Sequence, residues 1–353
     1  MKDVFDSIMI GAGQSGLAAA YHLNQNGIKY LVLEGENQTT ESWSKYYDSL
    51  TLFSPACYSS LPGLRFPGNE SRYPTKEEVI SYLKEYAKHF NLNIRTGEKV
   101  TVVRKVGDLF EIETLKSVYY SKTVISATGA FANPNLPAIE GSEYFKGNII
   151  HSSQYKNVDE YKNQRVVVVG GGNSAIQIAY ELAKVANVTI ASRKPLSFTP
   201  QRLLGKDIHF WLKLTGVDTL FYGRKFASKV SIMDTGIYKE AIVKKTPDSR
   251  RMFTKYTEGG VVWSKGNEEQ VNTVIYATGY IYNMHYLIPL KNTIDKYNSP
   301  RQDKGLSSTI DGLYYVGLSG QRSFSSATIR GVGSDAKYVV KKIGYYLKYF
   351  ESK

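Results

Sequence analysis

Two glycine-rich segments of the chain have the residue types and spacing of a turn that binds a pyrophosphate. The first has the sequence GAGQSG at residues 11–16, and the second has GGGNSA at residues 170–175. Each follows an apolar run, at 5–10 or 166–169, and precedes a helix-like pattern. Glycine lets the backbone approach a pyrophosphate, and the next helix offers free N–H groups and a positive dipole end. The sequence therefore predicts two dinucleotide sites on one chain, which suggests electron transfer between them.

The residues that end the second strand of each unit indicate which nucleotide binds there. Glu34 follows Gly11 by 23 residues, and its carboxylate can accept hydrogen bonds from both hydroxyls of an adenosine ribose. The same carboxylate would repel a 2′-phosphate, so the first turn suits FAD or NAD, and we assign FAD. Ser192-Arg193-Lys194 occupy the corresponding place in the second unit, where a guanidinium can hold the 2′-phosphate of NADPH. A basic surface loop without a ligand is the alternative for these three residues.

Two strand ends share the sequence Ala-Thr-Gly, at residues 127–129 and 277–279. We expect them to mark the crossings between the halves of the chain, where both cofactors converge. The residues predicted to contact FAD are Gly11, Gly13, Gln14, Ser15, Gly16, Glu34, Trp43, Thr128, Gly129 and Thr328. The residues predicted to contact NADPH are Gly170, Gly172, Asn173, Ser174, Ser192, Arg193, Lys194, Thr278 and Gly279.

The order of these motifs predicts an α/β protein of two Rossmann-like domains, one inserted into the other. A chain of 353 residues is long enough for two domains. We assign residues 1–158 and 276–353 to an FAD-binding domain, and residues 159–275 to an NADPH-binding domain. A capping-box pattern at 75–78 predicts a helix that ends near residue 90. The last strand is expected at 313–317, and the final helix at 333–350.

Composition narrows the range of partners. The 45 basic and 32 acidic residues give a net charge of +13, but the basic residues are scattered, so a basic surface that attracts NADPH is favoured over a nucleic-acid partner. No apolar run approaches the roughly 20 residues of a membrane span. Residues 1–5 lead directly into the first predicted strand without a signal-peptide pattern, so we expect a cytoplasmic location. A homodimer is one option for the oligomeric state.

The chain contains one cysteine, Cys57. Disulfide reductases with two nucleotide sites need two neighbouring cysteines that cycle between dithiol and disulfide, so an intramolecular redox pair is excluded. We expect Cys57 to have a structural role. The five histidines and this cysteine show no ligand spacing of a metal site, and none is predicted.

A segment just ahead of the second unit carries the pattern FxGxxxHxxxY, with Phe145, Gly147, His151 and Tyr155 at its fixed positions. With this segment between two nucleotide motifs, the chain resembles class B flavin-dependent monooxygenases, the flavin-containing monooxygenase family. Tyrosine at the last position favours the branch that oxygenates heteroatoms. The stretches 47–55 and 326–333 are similar to compact bacterial members associated with metal-ion or arsenic resistance operons. We expect His151 to link the domains rather than to transfer protons.

The resemblance implies a two-stage reaction in which the flavin carries the chemistry. NADPH would reduce FAD, O2 would form a C4a-peroxyflavin, and a small soft nucleophile such as an amine or sulfide would take the terminal oxygen. Phe53 stands where larger members carry an asparagine near the flavin, which supports a flavin NADPH oxidase or diaphorase as an alternative. A non-enzymatic flavoprotein that senses redox state or assists a resistance complex is another. The aromatic residues of the probable substrate segment, 197–255, are more typical of a core than of a substrate cage; they include Phe210, Trp211, Phe221 and Tyr222.

Overall fold

The computed structural model describes residues 3–131, 133–218 and 231–352. Two aromatic residues of the predicted substrate segment, Phe221 and Tyr222, lie outside the described residues.

The described residues alternate between strands and helices, as an α/β fold requires. The α-helices are α1 Gln14–Gln25, α2 Glu41–Ser44, α3 Lys76–His89, α4 Asn173–Leu182, α5 Ile208–Leu214, α6 Ile237–Val243 and α7 Ile329–Glu351. Short 3-10 helices lie at Ala56–Tyr58, Asp159–Tyr161 and His285–Leu287. The strands are β1 Val4–Ile10, β2 Tyr30–Leu33, β3 Ile94–Arg95, β4 Val100–Val106, β5 Leu109–Thr114, β6 Val118–Ser126, β7 Asn148–His151, β8 Arg165–Val169, β9 Asn187–Ser192, β10 Phe198–Pro200, β11 Arg202–Leu203, β12 Lys206–Asp207, β13 Ile232–Asp234, β14 Asp248–Arg251, β15 Lys255–Tyr256, β16 Gly260–Val262, β17 Glu268–Gln270, β18 Thr273–Tyr276, β19 Gln302–Asp303, β20 Leu306–Ser307 and β21 Leu313–Tyr315.

The first sheet is centred on β1, with the strand order β19-β20-β21-β6-β1-β2-β3. The hairpin β4–β5 extends from β6, and β1 runs parallel to both of its neighbours. Alternate residues of β1 enter opposite cores, because successive side chains of a strand point to opposite faces. Met9 packs with residues of α1, α3 and α7, whereas Ile8 and Ile10 pack with the hairpin and with residues 284–290. Helices and loops thus cover both faces of the sheet.

The second sheet has the order β14-β9-β8-β18-β7, with all its strands parallel. Val166 and Val168 of β8 face a core that includes α4, and Val167 and Val169 face the small sheet β15–β17. The edge strand β7 comes from residues 148–151, ahead of the predicted domain boundary at 158. The predicted α/β fold with two Rossmann-like units is confirmed, whereas the exact division of the chain into domains stays a prediction.

The predicted capping box of α3 is confirmed. Thr75 accepts a hydrogen bond from the N–H of Glu78, and the Glu78 carboxylate accepts one from the N–H of Thr75. The start of the final helix was predicted wrongly, because α7 begins at Ile329 rather than at 333. Gly331 and Gly333 look like helix breakers in the sequence, but a Cβ at either position would clash with Ser325 or Pro62. These glycines let α7 pack closely against Ser325 and Pro62.

Among the described residues, no helix combines the length and the apolar character that a membrane crossing needs.

We predict opposite stability effects for two glycine-to-alanine substitutions. A Cβ at Gly147 would lie 2.3 Å from the Phe145 ring and 2.5 Å from the carbonyl oxygen of Asn272. Gly147→Ala should therefore lower the free energy of unfolding by about 1–3 kcal/mol through overpacking. Gly344 lies inside α7 with no atom within 4 Å of a built Cβ, so Gly344→Ala should raise it by roughly 0.5–1 kcal/mol. Chemical denaturation measures both, and equal shifts in the two variants would contradict the packing argument.

Candidate active site between the two nucleotide folds

The three glycines of the first turn have different physical roles. Gly11 has a φ of +102°, and a Cβ there would lie 2.8 Å from the carbonyl oxygen of Ala127. A Cβ at Gly16 would lie 2.0 Å from the carbonyl oxygen of Gly11. Gly13 has no atom within 4 Å of a built Cβ. The outer glycines therefore allow the turn to close, while the middle one leaves open space in front of α1.

The second turn repeats this arrangement. Gly170 has a φ of +154°, and its built Cβ lies 2.5 Å from the carbonyl oxygen of Ala277. Each turn thus contacts the backbone carbonyl of the alanine in an Ala-Thr-Gly strand end. The glycine pattern of each turn and the open space at Gly13 fit a pyrophosphate that approaches the backbone closely.

Both helices that follow the turns begin at a glycine. Gly13 is the N-cap of α1 and Gly172 is the N-cap of α4, and neither helix has a side-chain cap or an acidic residue in its first turn. The first N–H groups of a helix lack partners within it, and its dipole is positive at that end. Both termini can therefore donate hydrogen bonds to a phosphate.

Glu34 lies directly after β2 and contacts the first turn. Its Oε2 accepts a hydrogen bond from the N–H of Ala12 at 2.7 Å, and its Oε1 accepts one from the N–H of Glu36 at 3.0 Å. Burial raises the pKa of Glu34, and these backbone hydrogen bonds oppose that shift. Each carboxylate oxygen has a second acceptor position, so two ribose hydroxyls can still bind.

The basic residues predicted to contact NADPH lie where β9 ends. Ser192 is buried and donates a hydrogen bond to the carbonyl oxygen of Lys194 at 2.7 Å, while Arg193 and Lys194 are exposed. Arg251, at the end of the parallel neighbour β14, donates a hydrogen bond to the carbonyl oxygen of Arg193. Sequence reasoning missed Arg251. The pair Arg250-Arg251 was visible in the sequence, but its register beside β9 was not.

A cavity of about 240 Å³ lies between the N-termini of α1, α4 and α7. It brings together residues predicted for both cofactors: Gln14, Trp43 and Thr328 from the FAD set, and Asn173 and Ser174 from the NADPH set. The further lining residues are Ser42, Tyr46, Tyr47, Leu50, Thr51, Leu52, Phe53, Ser54, Phe131, Gln177, Ala327, Ile329 and Arg330. The two stretches that are similar to compact bacterial members, 47–55 and 326–333, thus both contribute residues to this cavity.

Gln14 connects two elements that line the cavity. Its amide oxygen accepts a hydrogen bond from the indole N–H of Trp43 at 3.0 Å, and its amide nitrogen donates to the carbonyl oxygen of Ala327 at 2.8 Å. Ala327 has a φ of +69°, which is uncommon for a residue with a side chain. This strained residue precedes Thr328, the N-cap of α7. The start of α7 is therefore held against the start of α1.

The other predicted cofactor residues lie beside these turns rather than in the cavity lining. Thr128 and Tyr286 share a hydrogen bond between their hydroxyl groups at 3.2 Å, and the Thr278 hydroxyl donates to the carbonyl oxygen of Asn135 at 2.5 Å. Gly129 and Gly279 both have positive φ values, 63° and 78°. A Cβ at Gly317 would lie 2.1 Å from the Ser15 hydroxyl oxygen, so this serine packs against the turn after β21.

The fingerprint residues connect β7 to its surroundings, and none of the four belongs to the described cavity lining. The Nδ1 atom of His151 accepts a hydrogen bond from the N–H of Ser153 at 3.1 Å, so Nε2 carries the proton and donates to the carbonyl oxygen of Gly279 at 2.9 Å. Burial lowers the pKa of this imidazole, although the Gly279 contact opposes that shift. The Tyr155 hydroxyl donates to Glu181 of α4 at 3.2 Å, and burial raises the pKa of that phenol. These contacts fit a linking role.

Known proteins share this arrangement along almost the whole chain. Residues 8–317 match the pyridine nucleotide-disulphide oxidoreductase family, and the chain belongs to it. An uncharacterized oxidoreductase, CzcO, of Bacillus subtilis is 35% identical over 96% of this chain and 99% of its own. The indole-3-pyruvate monooxygenase YUCCA4 of Oryza sativa is 28% identical, over 97% of this chain and 88% of its own. The flavin-containing monooxygenase structure from Stenotrophomonas maltophilia has a TM-score of 0.87 and 27% identity, covering 98% of this chain and 99% of that one.

The resemblance predicted from the sequence is confirmed. The protein is an oxidoreductase of the flavin monooxygenase class, and its cofactors are FAD and NADPH. Structures with the same fold include complexes with both FAD and NADP.

We predict that two valine substitutions in the first turn separate flavin binding from folding. Gly13→Val places its side chain where no protein atom lies, so the fold should persist, but the side chain should occupy the space of the pyrophosphate and abolish FAD retention. Gly16→Val would clash with the backbone of Gly11, so it should lower the melting temperature of the protein as well. The FAD-to-protein absorbance ratio and the thermal unfolding midpoint distinguish the two effects. Full FAD occupancy in Gly13→Val would contradict the assignment.

Proposed function

We propose that the protein uses NADPH and O2 to oxygenate a small soft nucleophile, at nitrogen or sulfur, through a C4a-peroxyflavin. The observation that carries this proposal is the cavity that adjoins the glycine-capped starts of α1 and α4. A hydride donor and a hydride acceptor bound at these two helices would have their reactive ends directed to one shared space. Oxygen transfer is supported by the similarity of the chain to monooxygenases. The cavity leaves room for a small substrate.

The first glycine turn would bind the FAD pyrophosphate through the N–H groups at the start of α1, and Glu34 would hold the adenosine ribose. Gln14, Trp43 and Thr328 would contact the part of the flavin that extends into the cavity. When bound, FAD supplies the hydride acceptor and the centre that activates O2. The chain itself would position the reactants and exclude water.

The second turn, with Gly170 and Gly172, would bind the pyrophosphate of NADPH at the start of α4. Asn173 and Ser174 would face the nicotinamide half, since both line the cavity. Arg193 would read the 2′-phosphate, with help from Ser192, Lys194 and the neighbouring guanidinium of Arg251. Thr278 and Gly279 would hold the strand end beneath the nucleotide.

The cavity wall is largely apolar and aromatic, with Trp43, Tyr46, Leu52, Phe53 and Phe131 among its residues. With both cofactors bound, such a wall would limit the access of water to the activated oxygen. Burial raises the pKa of Tyr46 well above its usual value, so this phenol stays protonated and neutral at physiological pH. The chain would thus contribute a cavity of suitable shape and low polarity to oxygen transfer, and no side chain would act as a nucleophile.

A flavin NADPH oxidase is the second candidate, and the position of Phe53 favours it. The Phe53 side chain lines the cavity where larger family members carry an amide, so this position offers no hydrogen-bond donor to activated oxygen. Without such a donor, the reduced flavin would return its electrons to O2 as hydrogen peroxide. A protein that only senses redox state would not consume NADPH.

We predict that Arg193→Ala selectively weakens NADPH binding. Loss of a charge-assisted pair with phosphate costs about 1.5–3 kcal/mol, which corresponds to a roughly 10- to 150-fold rise in the KM for NADPH. The KM for NADH should stay within about twofold, because NADH lacks the 2′-phosphate. Arg65→Ala is a charge-matched control, since Arg65 is 93% exposed and lies in a different loop. An unchanged KM for NADPH in Arg193→Ala would show that another residue reads the phosphate.

We predict that reduced enzyme mixed with NADP⁺ and O2 forms a species whose absorbance differs from both oxidised and reduced flavin. Stopped-flow spectroscopy detects this species, and adding an amine or sulfide should accelerate its decay and yield the oxygenated product. Peroxide release should then account for only a minor part of the NADPH consumed. Direct reoxidation, with peroxide equal to NADPH across a panel of amines and sulfides, would support the oxidase. No NADPH consumption at all would support the sensor.

A further inference from the structure

A buried polar cluster joins the segment after β10 to a loop of the first nucleotide fold, behind the wall of the cavity. Gln201, Asp207 and His209 come from the segment, and Phe53 and Tyr73 come from the loop region. Gln201 is 3% exposed and His209 is 2% exposed. Burying polar groups is unfavourable unless they are hydrogen-bonded, so this cluster depends on its internal contacts.

Asp207 is the acceptor at the centre of the cluster. Its Oδ2 accepts hydrogen bonds from the Tyr73 hydroxyl at 2.6 Å and from the Gln201 amide nitrogen at 3.0 Å. Its Oδ1 accepts from the backbone N–H of His209 at 2.9 Å and from the His209 Nδ1 at 2.7 Å. Burial raises the pKa of Asp207, but the hydrogen bonds from His209, Gln201 and Tyr73 outweigh it and lower the pKa to about 2. The carboxylate is therefore ionised at neutral pH, and it accepts four hydrogen bonds from three residues, Tyr73, Gln201 and His209.

The same cluster holds Phe53 in two ways. The Gln201 amide nitrogen that reaches Asp207 also donates to the carbonyl oxygen of Phe53 at 2.8 Å. The imidazole of His209 stacks with the Phe53 ring at a centroid distance of 6.3 Å and an interplanar angle of 25°. It also stacks with the Tyr58 ring, at 6.1 Å and 26°. Both the backbone and the ring of Phe53 thus contact the segment that follows β10.

We propose that Asp207 and His209 are positioning residues that hold Phe53 in the cavity wall and thereby set which substrates fit. The claim about substrates rests on the proposed function. The claim that the two residues hold Phe53 in place does not. Neither residue belongs to the described lining of the cavity, so neither touches the reacting groups. They act on substrate binding through Phe53 and leave the transfer of hydride from NADPH unaffected.

Hydrogen exchange of the backbone amides tests the structural part without any substrate. In the loop that follows Phe53, the N–H of Ala56 donates to the carbonyl oxygen of Arg72, and the N–H of Cys57 donates to that of Glu70. In the flavin-loaded protein, His209→Ala and Asp207→Asn should accelerate exchange in the 52–59 peptide at least tenfold, because the loop loses its attachment. Exchange in 148–151, within the second sheet, should stay unchanged. His209→Phe keeps a stacking ring but lacks the N–H donor, so its effect should be smaller than that of His209→Ala.

Steady-state kinetics with thioanisole and NADPH test the substrate part. His209→Ala should raise the KM for thioanisole at least fivefold, while the anaerobic rate of flavin reduction by NADPH changes less than twofold. His22→Phe is the matched control, since His22 also contacts a backbone carbonyl, that of Gly333, and neither of these residues belongs to the described lining of the cavity. It should leave both values unchanged.

The outcomes distinguish this inference from the proposed function. If the wild-type protein releases all its electrons as peroxide, oxygenation is excluded, and the exchange experiment alone decides whether the cluster holds Phe53. Unchanged exchange in 52–59 in both His209→Ala and Asp207→Asn would overturn the inference. Equal acceleration in 52–59 and 148–151, or a slowed flavin reduction, would also overturn it, because the cluster would then only stabilise the fold.

Discussion

The close backbone contact between each glycine turn and an Ala-Thr-Gly strand end is the constraint on which the rest of the structure depends. Gly11 lies against the carbonyl of Ala127, and Gly170 lies against that of Ala277, at distances that no side chain could share. Each contact brings the start of a helix to the end of a parallel strand. Because the two turns are built in the same way, both helices can present their N-termini to a nucleotide. The cavity then lies where the start of α7 meets those of α1 and α4.

The sequence could predict those parts of the fold and site that depend on local patterns. The glycine turns, the acidic residue after β2 and the capping box of α3 each involve residues close along the chain or at a recurrent spacing. The residues around Asp207 could not be found in this way, because Tyr73 and Asp207 are 134 residues apart and neither belongs to a known motif. The start of α7 was predicted wrongly for a related reason. Its glycines are explained by contacts with Ser325 and Pro62 rather than by helix propensity.

The sequence segments that resemble the family have two different structural roles. The stretches 47–55 and 326–333 line the cavity, whereas Phe145, Gly147, His151 and Tyr155 fix an edge strand and its connections. The imidazole of His151 uses both ring nitrogens for contacts with its own fold. A fingerprint can thus identify a class of enzyme through residues that only hold its frame. Phe53, by contrast, lines the cavity itself.

The hydrogen bond between Gln14 and Ala327 joins residues that are 313 positions apart. During synthesis, the second sheet has all its strands by residue 276, whereas the first sheet still lacks β21 and the helix α7 that packs against α1. The second sheet can therefore form first while the chain is still growing, and the first sheet is completed only afterwards. Until α7 emerges, the cavity beside the first turn lacks one of its walls. With FAD at the first turn, as we propose, capture of the flavin would be a late step in the biogenesis of this protein.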